Sequence, residues 1–326
     1  MNPRSNWTSE EVRSLYQMPF LELVYQAATV HRKFHDPAEV QLCTLLSVKT
    51  GGCPENCHYC PQSAHHESAV ERKPLMGVDD VLSHARRAKE EGSTRFCMGA
   101  AWREVKDNSE FDRILEMVRG VKALDIEVCC TLGMLTAEQA RRLKEAGLDA
   151  YNHNLDTSEK HYSEIIQTRT YQDRLRTLKN VSDSGISVCC GGILGLGETE
   201  DDRVEFLHSL CTLSPHPESV PINTLVPVEG TPLEDAHSVP ALEWIRVIAC
   251  ARILMPTSKV RLSAGRLSLS PEVQAFAFLA GANSIFTGEK LLTTPNPERD
   301  FDLTLLNRLG LRAMEGVTVG TSHARA

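Results

Sequence analysis

The chain lacks any run of about 18 apolar residues, so its sequence predicts no transmembrane helix. Its N-terminus lacks the apolar core of a signal peptide, and we therefore expect a cytoplasmic protein. Basic residues are outnumbered, with 35 Lys and Arg against 43 Asp and Glu and a net charge of −8. This acidic balance argues against nucleic acid and against an anionic membrane surface as the main partner.

Cysteine, by contrast, is present in unusual number, with 11 in the chain. The count is odd and the expected compartment is reducing, so disulfide bonds explain it poorly. Metal ligation or catalysis explains it better. Free cysteines also occur as ordinary buried residues. We assign that ordinary role to Cys43, Cys130, Cys190, Cys211 and Cys250.

The chain begins with a short helical part and continues as a long alternating region. Thr8 followed by Glu11 predicts a capping box, and two helices are expected before Val40. From Val40 onward, eight β-rich runs alternate with amphipathic helical stretches. These runs lie near 41–48, 94–98, 126–131, 149–153, 186–191, 219–225, 259–263 and 283–286.

Strict alternation of this kind predicts an α/β fold, a (β/α)8 barrel. A doubly wound open sheet is the competing architecture. No linker or low-complexity stretch divides the alternating region. We therefore expect an N-terminal helical extension over 1–39, one barrel domain over 40–314 and a loose tail over 315–326.

Three cysteines follow the first predicted strand, at the spacing C-x3-C-x2-C. Cys53, Cys57 and Cys60 lie in a loop whose glycines and prolines help it curl. Iron–sulfur clusters take cysteine thiolates at short spacings like this. A cubane cluster held by three cysteines leaves one iron with an open position, so another molecule must bind there. Tyr59, just before the last cysteine, adds an aromatic ring beside the cluster.

A zinc site is the alternative reading of this loop, with His58 or His65 as the fourth ligand. The position of the loop weighs against it. Barrel enzymes keep their active sites at the ends of the strands where this loop lies, and a closed structural site would fill that place. We therefore favour a cluster.

Strand side chains alternate between two faces, so position along a strand assigns each cysteine to the inside or the outside of the barrel. The apolar face packs on the surrounding helices. Ile126 and Val128 share that outer face with Cys130, whereas Cys129 faces inward, and Cys190 is likewise outside. Four residues from four strands are placed inside: Cys97, Cys129, Cys189 and Arg261. Such a polar interior is costly unless it holds something, so we expect a second cluster.

Four segments together resemble the biotin synthase family, a branch of the radical S-adenosylmethionine superfamily. These segments are 53–60 with its three cysteines, 95–102 (RFCMGAAW), 151–157 (YNHNLDT) and 261–266 (RLSAGR). The resemblance runs from about residue 7 to residue 314 and leaves only the tail uncovered. It is specific, because radical enzymes in general do not share the polar inner-face segments.

The resemblance implies two clusters. Cys53, Cys57 and Cys60 would hold a [4Fe-4S] cluster that binds and reduces S-adenosylmethionine, giving methionine and a 5′-deoxyadenosyl radical. The four inward residues would hold a [2Fe-2S] cluster, with Arg95 supporting Arg261. A guanidinium has no lone pair to donate, so chemistry alone would make Arg261 an electrostatic partner of an anionic cluster.

The implied reaction is the last step of biotin biosynthesis, in which sulfur is inserted into dethiobiotin between C6 and C9. The 5′-deoxyadenosyl radical would take a hydrogen atom from C9, and a bridging sulfide of the [2Fe-2S] cluster would quench the carbon radical. A second S-adenosylmethionine would activate C6 and close the thiophane ring. The second cluster is then a sulfur donor and is consumed.

Smaller contacts are assigned from the same resemblance. For S-adenosylmethionine they are Tyr59, Met98, Gly99, Ala100, Asn154, Asp156, Gly191, Ile193 and Gly195. For dethiobiotin they are Asn152, Asn154 and Asn223. An amide offers one donor and one acceptor to a cyclic urea, which suits the asparagines to this substrate.

Two other functions remain open at this point. One is a different radical S-adenosylmethionine enzyme with an auxiliary cluster and another substrate. The other is a zinc-stabilised binding protein without catalytic activity. The resemblance further implies an electron donor of the flavodoxin type and a homodimer.

Overall fold

The computed structural model describes residues 3–316, so residues 317–326 of the predicted tail lie outside the described residues. Short parallel strands form its central sheet. In chain order these strands are β1 (Glu39–Lys49), β2 (Arg95–Ala100), β3 (Glu127–Thr131), β4 (Ala150–Asn152), β5 (Ser187–Cys189), β6 (Gly192–Leu194), β7 (Ser219–Thr224), β8 (Lys259–Leu262), β9 (Ser284–Phe286) and β10 (Arg312–Ala313).

The sheet closes into a barrel because β1 pairs with β2 on one side and with β9 on the other. β5 and β6 share one of the eight barrel positions, and both pair with β7. β10 pairs with the start of β1. The predicted (β/α)8 barrel is therefore confirmed, and the alternative of an open doubly wound sheet is wrong.

Helices surround the barrel. Within the described residues they are α1 (Ser9–Tyr16), α2 (Phe20–Phe34), α3 (Val78–Glu90), α4 (Ser109–Lys122), α5 (Ala137–Glu145), α6 (Glu159–Ile165), α7 (Tyr171–Asp183), α8 (Glu200–Cys211), α9 (Ala241–Leu254), α10 (Pro271–Leu279) and α11 (Arg299–Arg308). None of these helices has the length and apolar character needed to cross a bilayer.

The two N-terminal helices pack on the outer helical layer. Thr8 and Glu11 form the capping box that starts α1. The Tyr16 hydroxyl donates to Glu243 Oε2 of α9 at 2.8 Å, and Arg246 Nη1 donates to the Tyr16 carbonyl oxygen at 2.5 Å. The extension is thereby fastened to α9 on the outside of the barrel.

Apolar side chains form two separate groups on the two faces of the strands. The larger group fills the space between strands and helices and includes Cys130 and Cys190. The smaller group lies on the inner face. It contains Cys97, Cys129 and Ala150, with Leu45 and Phe286 packed against it. Neighbouring cysteines in the sequence thus lie on opposite sides of the sheet.

Candidate active site

A cavity of about 320 Å³ lies at the carboxyl ends of the barrel strands. The loops that follow the strands form its upper wall, and inward side chains of the strands form its lower wall. Barrel enzymes place their active sites at this end. The residues predicted as cluster ligands all line this one cavity: Cys53, Cys57, Cys60, Cys97, Cys129, Cys189 and Arg261.

The three-cysteine loop curls because two glycines precede it. Gly51 and Gly52 have φ values of 71° and 68°, in the left-handed region that favours glycine. The Cys53 amide then donates to the Gln62 carbonyl oxygen at 2.9 Å, and the Ala64 amide donates to the Cys53 carbonyl oxygen at 2.7 Å. These bonds close the loop on itself, with its sulfur atoms directed at the cavity.

The thiols of the loop are held in their protonated form when no metal is bound. Burial raises the pKa of Cys53 and of Cys57, and it raises the pKa of Cys60 to about 12. Thiolate is the ligand form, so metal binding has to displace these protons. Within residues 3–316, no three His, Cys, Asp or Glu side chains are drawn together closely enough to hold one metal ion.

One of the two histidines considered for a zinc site, His65, is engaged elsewhere. His65 Nε2 lies 3.1 Å from the Pro54 carbonyl oxygen. A zinc site would instead need this nitrogen about 2.0–2.1 Å from a metal shared with the cysteines. The ring is thus held by the backbone of the loop.

A buried ion pair supports the loop from below, and sequence reasoning missed it. Arg169 Nη2 lies 3.9 Å from Cys57 Sγ, and its Nε lies 3.9 Å from Glu55 Oε1. Arg103 Nε approaches the same Glu55 oxygen at 3.6 Å. A cation beside a thiol favours the thiolate, so Arg169 offsets part of the burial cost at Cys57.

Tyr59 and Asp156, both predicted as cofactor contacts, are bonded to each other. The Tyr59 hydroxyl donates to Asp156 Oδ2 at 2.7 Å. Arg174 forms a buried ion pair with the same oxygen and donates from Nη1 to the Asn154 carbonyl oxygen at 2.5 Å. Asp156 has a φ of 68°, so its backbone is strained in a position that these bonds maintain. Arg174 was not predicted, because no motif connects it with 151–157.

The asparagines of β4 and its loop lie on the cavity wall, and Asn152 contacts one of the deep cysteines. Asn152 Nδ2 donates to Asn154 Oδ1 at 2.9 Å and contacts Cys189 Sγ at 3.3 Å. Asn154 Oδ1 also accepts from the Gly191 amide at 3.1 Å. His153, between them, lines the same cavity, and burial lowers its pKa well below its ordinary value.

Asn223, the third predicted substrate contact, joins two neighbouring parts of the wall. Its Nδ2 donates to the Gly192 carbonyl oxygen at 2.9 Å, and its Oδ1 accepts from the Ala264 amide at 3.0 Å. One N–H and one lone pair of this amide remain for a ligand.

The segment predicted to contact the methionine part of the cofactor is only partly at the cavity. Ala100 lines it. The Met98 side chain is fully buried in the outer core, on the face opposite to the cavity. Gly99 lies under Leu292, since a Cβ at Gly99 would come 2.4 Å from Leu292 Cδ2.

The predicted cofactor contacts in the glycine-rich segment after β5 are likewise only partly at the cavity. Ile193 lines the cavity. Gly191 allows β7 to approach, because a Cβ there would lie 1.9 Å from the Pro221 carbonyl oxygen. Gly195 has a φ of 98°, and its amide donates to the Glu198 carboxylate at 3.0 Å. Two of these three residues thus shape the turn rather than face the cavity.

The deeper part of the cavity contains three thiols and an arginine. Cys97 and Cys129 are paired in register across β2 and β3, and Arg261 Nη1 lies 3.8 Å from Cys189 Sγ. The neighbouring Cys97 thiol lowers the pKa of Cys129, whereas burial raises the pKa of Cys189. Cations near these sulfurs favour thiolate, the form that binds iron.

Arg95 closes the floor of the barrel. Its side chain is 2% exposed and forms ion pairs at 2.9 Å with Glu127 and at 2.9 Å with Glu218. Lys259 pairs with the other oxygen of Glu218 at 2.7 Å. The structure thus places Arg95 between two carboxylates, and its support of Arg261 stays a prediction.

Cys43 was expected to be an ordinary buried residue, but it belongs to the inner face. It shares one face of β1 with Gln41 and with Leu45, and Leu45 lines the cavity. Its sulfur lies 3.7 Å from Ser284 Oγ, the hydroxyl that accepts from Arg261 Nε at 2.9 Å. Little in the sequence indicated this placement, since residues on both faces of β1 are buried.

Known proteins share this architecture and sequence. Residues 47–210 match the Radical SAM superfamily, and residues 221–312 match the Biotin and Thiamin Synthesis associated domain. A biotin synthase of Cytophaga hutchinsonii is 61% identical over 97% of this chain and 94% of its own. One from Myxococcus xanthus is 60% identical over 96% and 90%.

Solved structures share the fold at low sequence identity. Methylornithine synthase (PylB) has a TM-score of 0.77 at 18% identity, with 94% of each chain covered. The FeFe-hydrogenase maturase HydG from Carboxydothermus hydrogenoformans has a TM-score of 0.79 at 17% identity, with 94% of this chain and 76% of its own covered.

Proposed function

The chain belongs to the biotin synthase family within the radical S-adenosylmethionine superfamily, and we propose that it converts dethiobiotin to biotin with the seven cavity residues as cluster ligands. The observation that carries this proposal is that all seven line a single cavity. When bound, the [4Fe-4S] cluster with S-adenosylmethionine supplies a 5′-deoxyadenosyl radical, and the [2Fe-2S] cluster supplies the sulfur atom.

The residues fit two clusters at two depths. Cys53, Cys57 and Cys60 lie on the loop at the mouth, and their number leaves one iron of a cubane open to S-adenosylmethionine. The deeper thiols come from β2, β3 and β5, with Arg261 beside them on β8. A substrate between the two sites is within reach of both.

Asp156 is suited to bind the ribose of S-adenosylmethionine. Its Oδ2 is occupied by Tyr59 and Arg174, which fix the carboxylate in place. The other oxygen, Oδ1, is left to accept from a ribose hydroxyl. The Arg174 guanidinium balances the negative charge of this buried carboxylate.

The three amides on the wall are suited to bind the ureido ring of dethiobiotin. Asn152 and Asn154 are bonded to each other, and Asn223 is bonded on both of its polar atoms to the backbone. These bonds fix the orientation of each amide before the substrate arrives. Preorganised contacts of this kind hold a target carbon close to a radical and exclude water.

The experiment that tests the proposal is anaerobic reconstitution with iron and sulfide, followed by incubation with dethiobiotin, S-adenosylmethionine and a reductant. Mass spectrometry should detect biotin and 5′-deoxyadenosine together. 5′-Deoxyadenosine without biotin would contradict dethiobiotin as the substrate. The absence of both products from protein with a full iron content would contradict the reaction itself.

Two further expectations belong to this proposal. A reduced flavodoxin-type protein is the electron donor, and the active form is a homodimer. Leu21 and Tyr25, 73% and 68% exposed one turn apart on α2, provide apolar surface that such a dimer could cover. Light scattering on the purified chain gives its mass, and a monomer under assay conditions would contradict the dimer.

A further inference from the structure

The barrel interior contains two buried arginines whose charges are balanced differently. Arg95 is held by two carboxylates at its floor position. Arg261, which is 1% exposed, has neutral hydrogen-bond acceptors on the strands beside it. These acceptors are Ser284 Oγ at 2.9 Å from Nε and Gln41 Oε1 at 3.2 Å from Nη2. Among residues 3–316, no carboxylate is therefore bonded to the Arg261 cation.

Gln41 lies between these two arginines and bonds in both directions. Its Oε1 accepts from Arg261 Nη2 and from Ser284 Oγ, each at 3.2 Å. Its Nε2 donates to Glu127 Oε2 at 3.2 Å, the oxygen that also accepts from Arg95 Nε. The side chain is 1% exposed, so water does not replace these bonds.

We propose that Gln41 is a positioning residue for the second cluster, because it aims Arg261 at the cluster site and separates its cation from the Glu127 carboxylate. This inference rests on the proposed function, which places a [2Fe-2S] cluster at that site. With Nε and Nη2 held by Ser284 and Gln41, the nitrogen directed at Cys189 Sγ is Nη1, at 3.8 Å.

Only a neutral amide does both tasks. An amide accepts on one side and donates on the other, which matches a guanidinium on one side and a carboxylate on the other. A carboxylate at position 41 would accept from Arg261 but would face Glu127 without a proton to donate. It would also neutralise Arg261, and a buried arginine paired within the protein attracts an anionic cluster less.

The test compares Gln41→Glu, Glu127→Gln and the double variant Gln41→Glu/Glu127→Gln with the unchanged protein. Each is reconstituted anaerobically, and iron, sulfide and the visible and Mössbauer spectra are measured before S-adenosylmethionine is added. The unchanged protein should hold both clusters, about six irons per chain. Gln41→Glu should keep the first cluster and lose most of the second, down to about four irons.

The double variant separates positioning from packing. It keeps a donor–acceptor pair between positions 41 and 127 and the same number of charges, but it moves the carboxylate onto Arg261. We expect it to bind the second cluster as poorly as Gln41→Glu does, whereas Glu127→Gln alone should retain it. Recovery of the second cluster in the double variant would overturn the inference.

Gln274→Glu is the matched control. Gln274 is also fully buried, and its Oε1 accepts from the Nε of a buried arginine, Arg266, at 3.2 Å. This pair lies outside the cavity, so Gln274→Glu should retain both clusters. Thermal unfolding of each apoprotein identifies a variant that fails to fold, and the double variant then decides. A Gln41→Glu protein with a full, spectroscopically unchanged second cluster would overturn this inference and leave the proposed function standing. If the unchanged protein itself lacked the second cluster, both the inference and the proposed function would be overturned.

Discussion

Cys97 and Cys129 are paired in register across neighbouring parallel strands, and both thiols face the inside of the barrel. The next residue along β3, Cys130, faces the helices instead. One step along a strand therefore separates a residue that a cluster could use from one that it could not reach.

This alternation gives a matched test of the deep ligands. Cys129→Ala should remove the second cluster and leave the first, so iron falls by about two per chain and biotin formation stops. Cys130→Ala should retain both clusters, because its sulfur lies in the outer core. Iron analysis and the product assay measure both results. The same contrast holds for Cys189→Ala against Cys190→Ala, and loss of the cluster in an outward variant would contradict the assignment.

The loop at the mouth should control cleavage of S-adenosylmethionine. Replacing Cys53, Cys57 or Cys60 with Ala removes one of three thiols that line the cavity. We expect each variant to form no 5′-deoxyadenosine, because a cluster with two protein ligands is not retained. Chromatography of the reaction mixture measures this product. Continued cleavage in all three variants would rule out this loop as the cluster site.

The Tyr59–Asp156–Arg174 group predicts two unequal effects on stability. Asp156→Asn leaves Arg174 buried beside a neutral amide, and breaking a buried pair in this way costs about 3–5 kcal/mol. Tyr59→Phe removes one hydrogen bond to this carboxylate, at 2.7 Å, and should cost less, about 1.5–3 kcal/mol. Urea unfolding of the apoprotein measures the two values. Equal losses would show that the ion pair contributes little.

Acid should weaken the attachment of α2 before it affects the cavity. Burial and the Arg252 cation lower the pKa of His31 to about 3 and of His35 to about 4, from an ordinary value of 6.5. Below about pH 6.5 these two histidines therefore bind protons in the unfolded chain that they do not bind in the folded chain. Stability is full above that pH and falls as the pH drops from 6.5 towards 4. Urea midpoints at several pH values measure the slope, and His35→Gln should flatten it.

Gly191 should be intolerant of any side chain. Its hypothetical Cβ would lie 1.9 Å from a carbonyl oxygen of β7, and backbone cannot move aside as a flexible side chain does. Gly191→Ala should therefore destabilise the apoprotein by at least ~2 kcal/mol. Thermal unfolding without cofactor measures this loss. An unchanged thermal midpoint would contradict a structural role for Gly191 and leave only its predicted contact with the cofactor.

The sequence predicted the parts of this site that follow a local rule. The inward placement of Cys97 and Cys129 follows from alternation along single strands, and the C-x3-C-x2-C loop needs only short spacing. Met98 shows the limit of resemblance, since alternation places it outside and its side chain is indeed in the outer core.

The residues that escaped prediction reach the site from distant segments. Arg169, in the loop before α7, supports a loop that lies three strands earlier in the chain, and Arg174, at the start of α7, reaches back across α6 to Asp156. Buried charges of this kind are chosen by their tertiary partners and leave no periodic pattern in the sequence. Cys43 escaped because residues on both faces of β1 are buried, so burial does not distinguish its inner face from its outer face.

The ion pairs of Arg95 close one end of the barrel, so the cavity opens at the other end. Substrate, cofactor, product and any replacement iron and sulfide pass the same mouth, which the three-cysteine loop borders. If the deep site holds the proposed second cluster, replacement iron and sulfide reach it only while the substrate site above it is empty. Rebuilding that cluster and turning over substrate would then alternate.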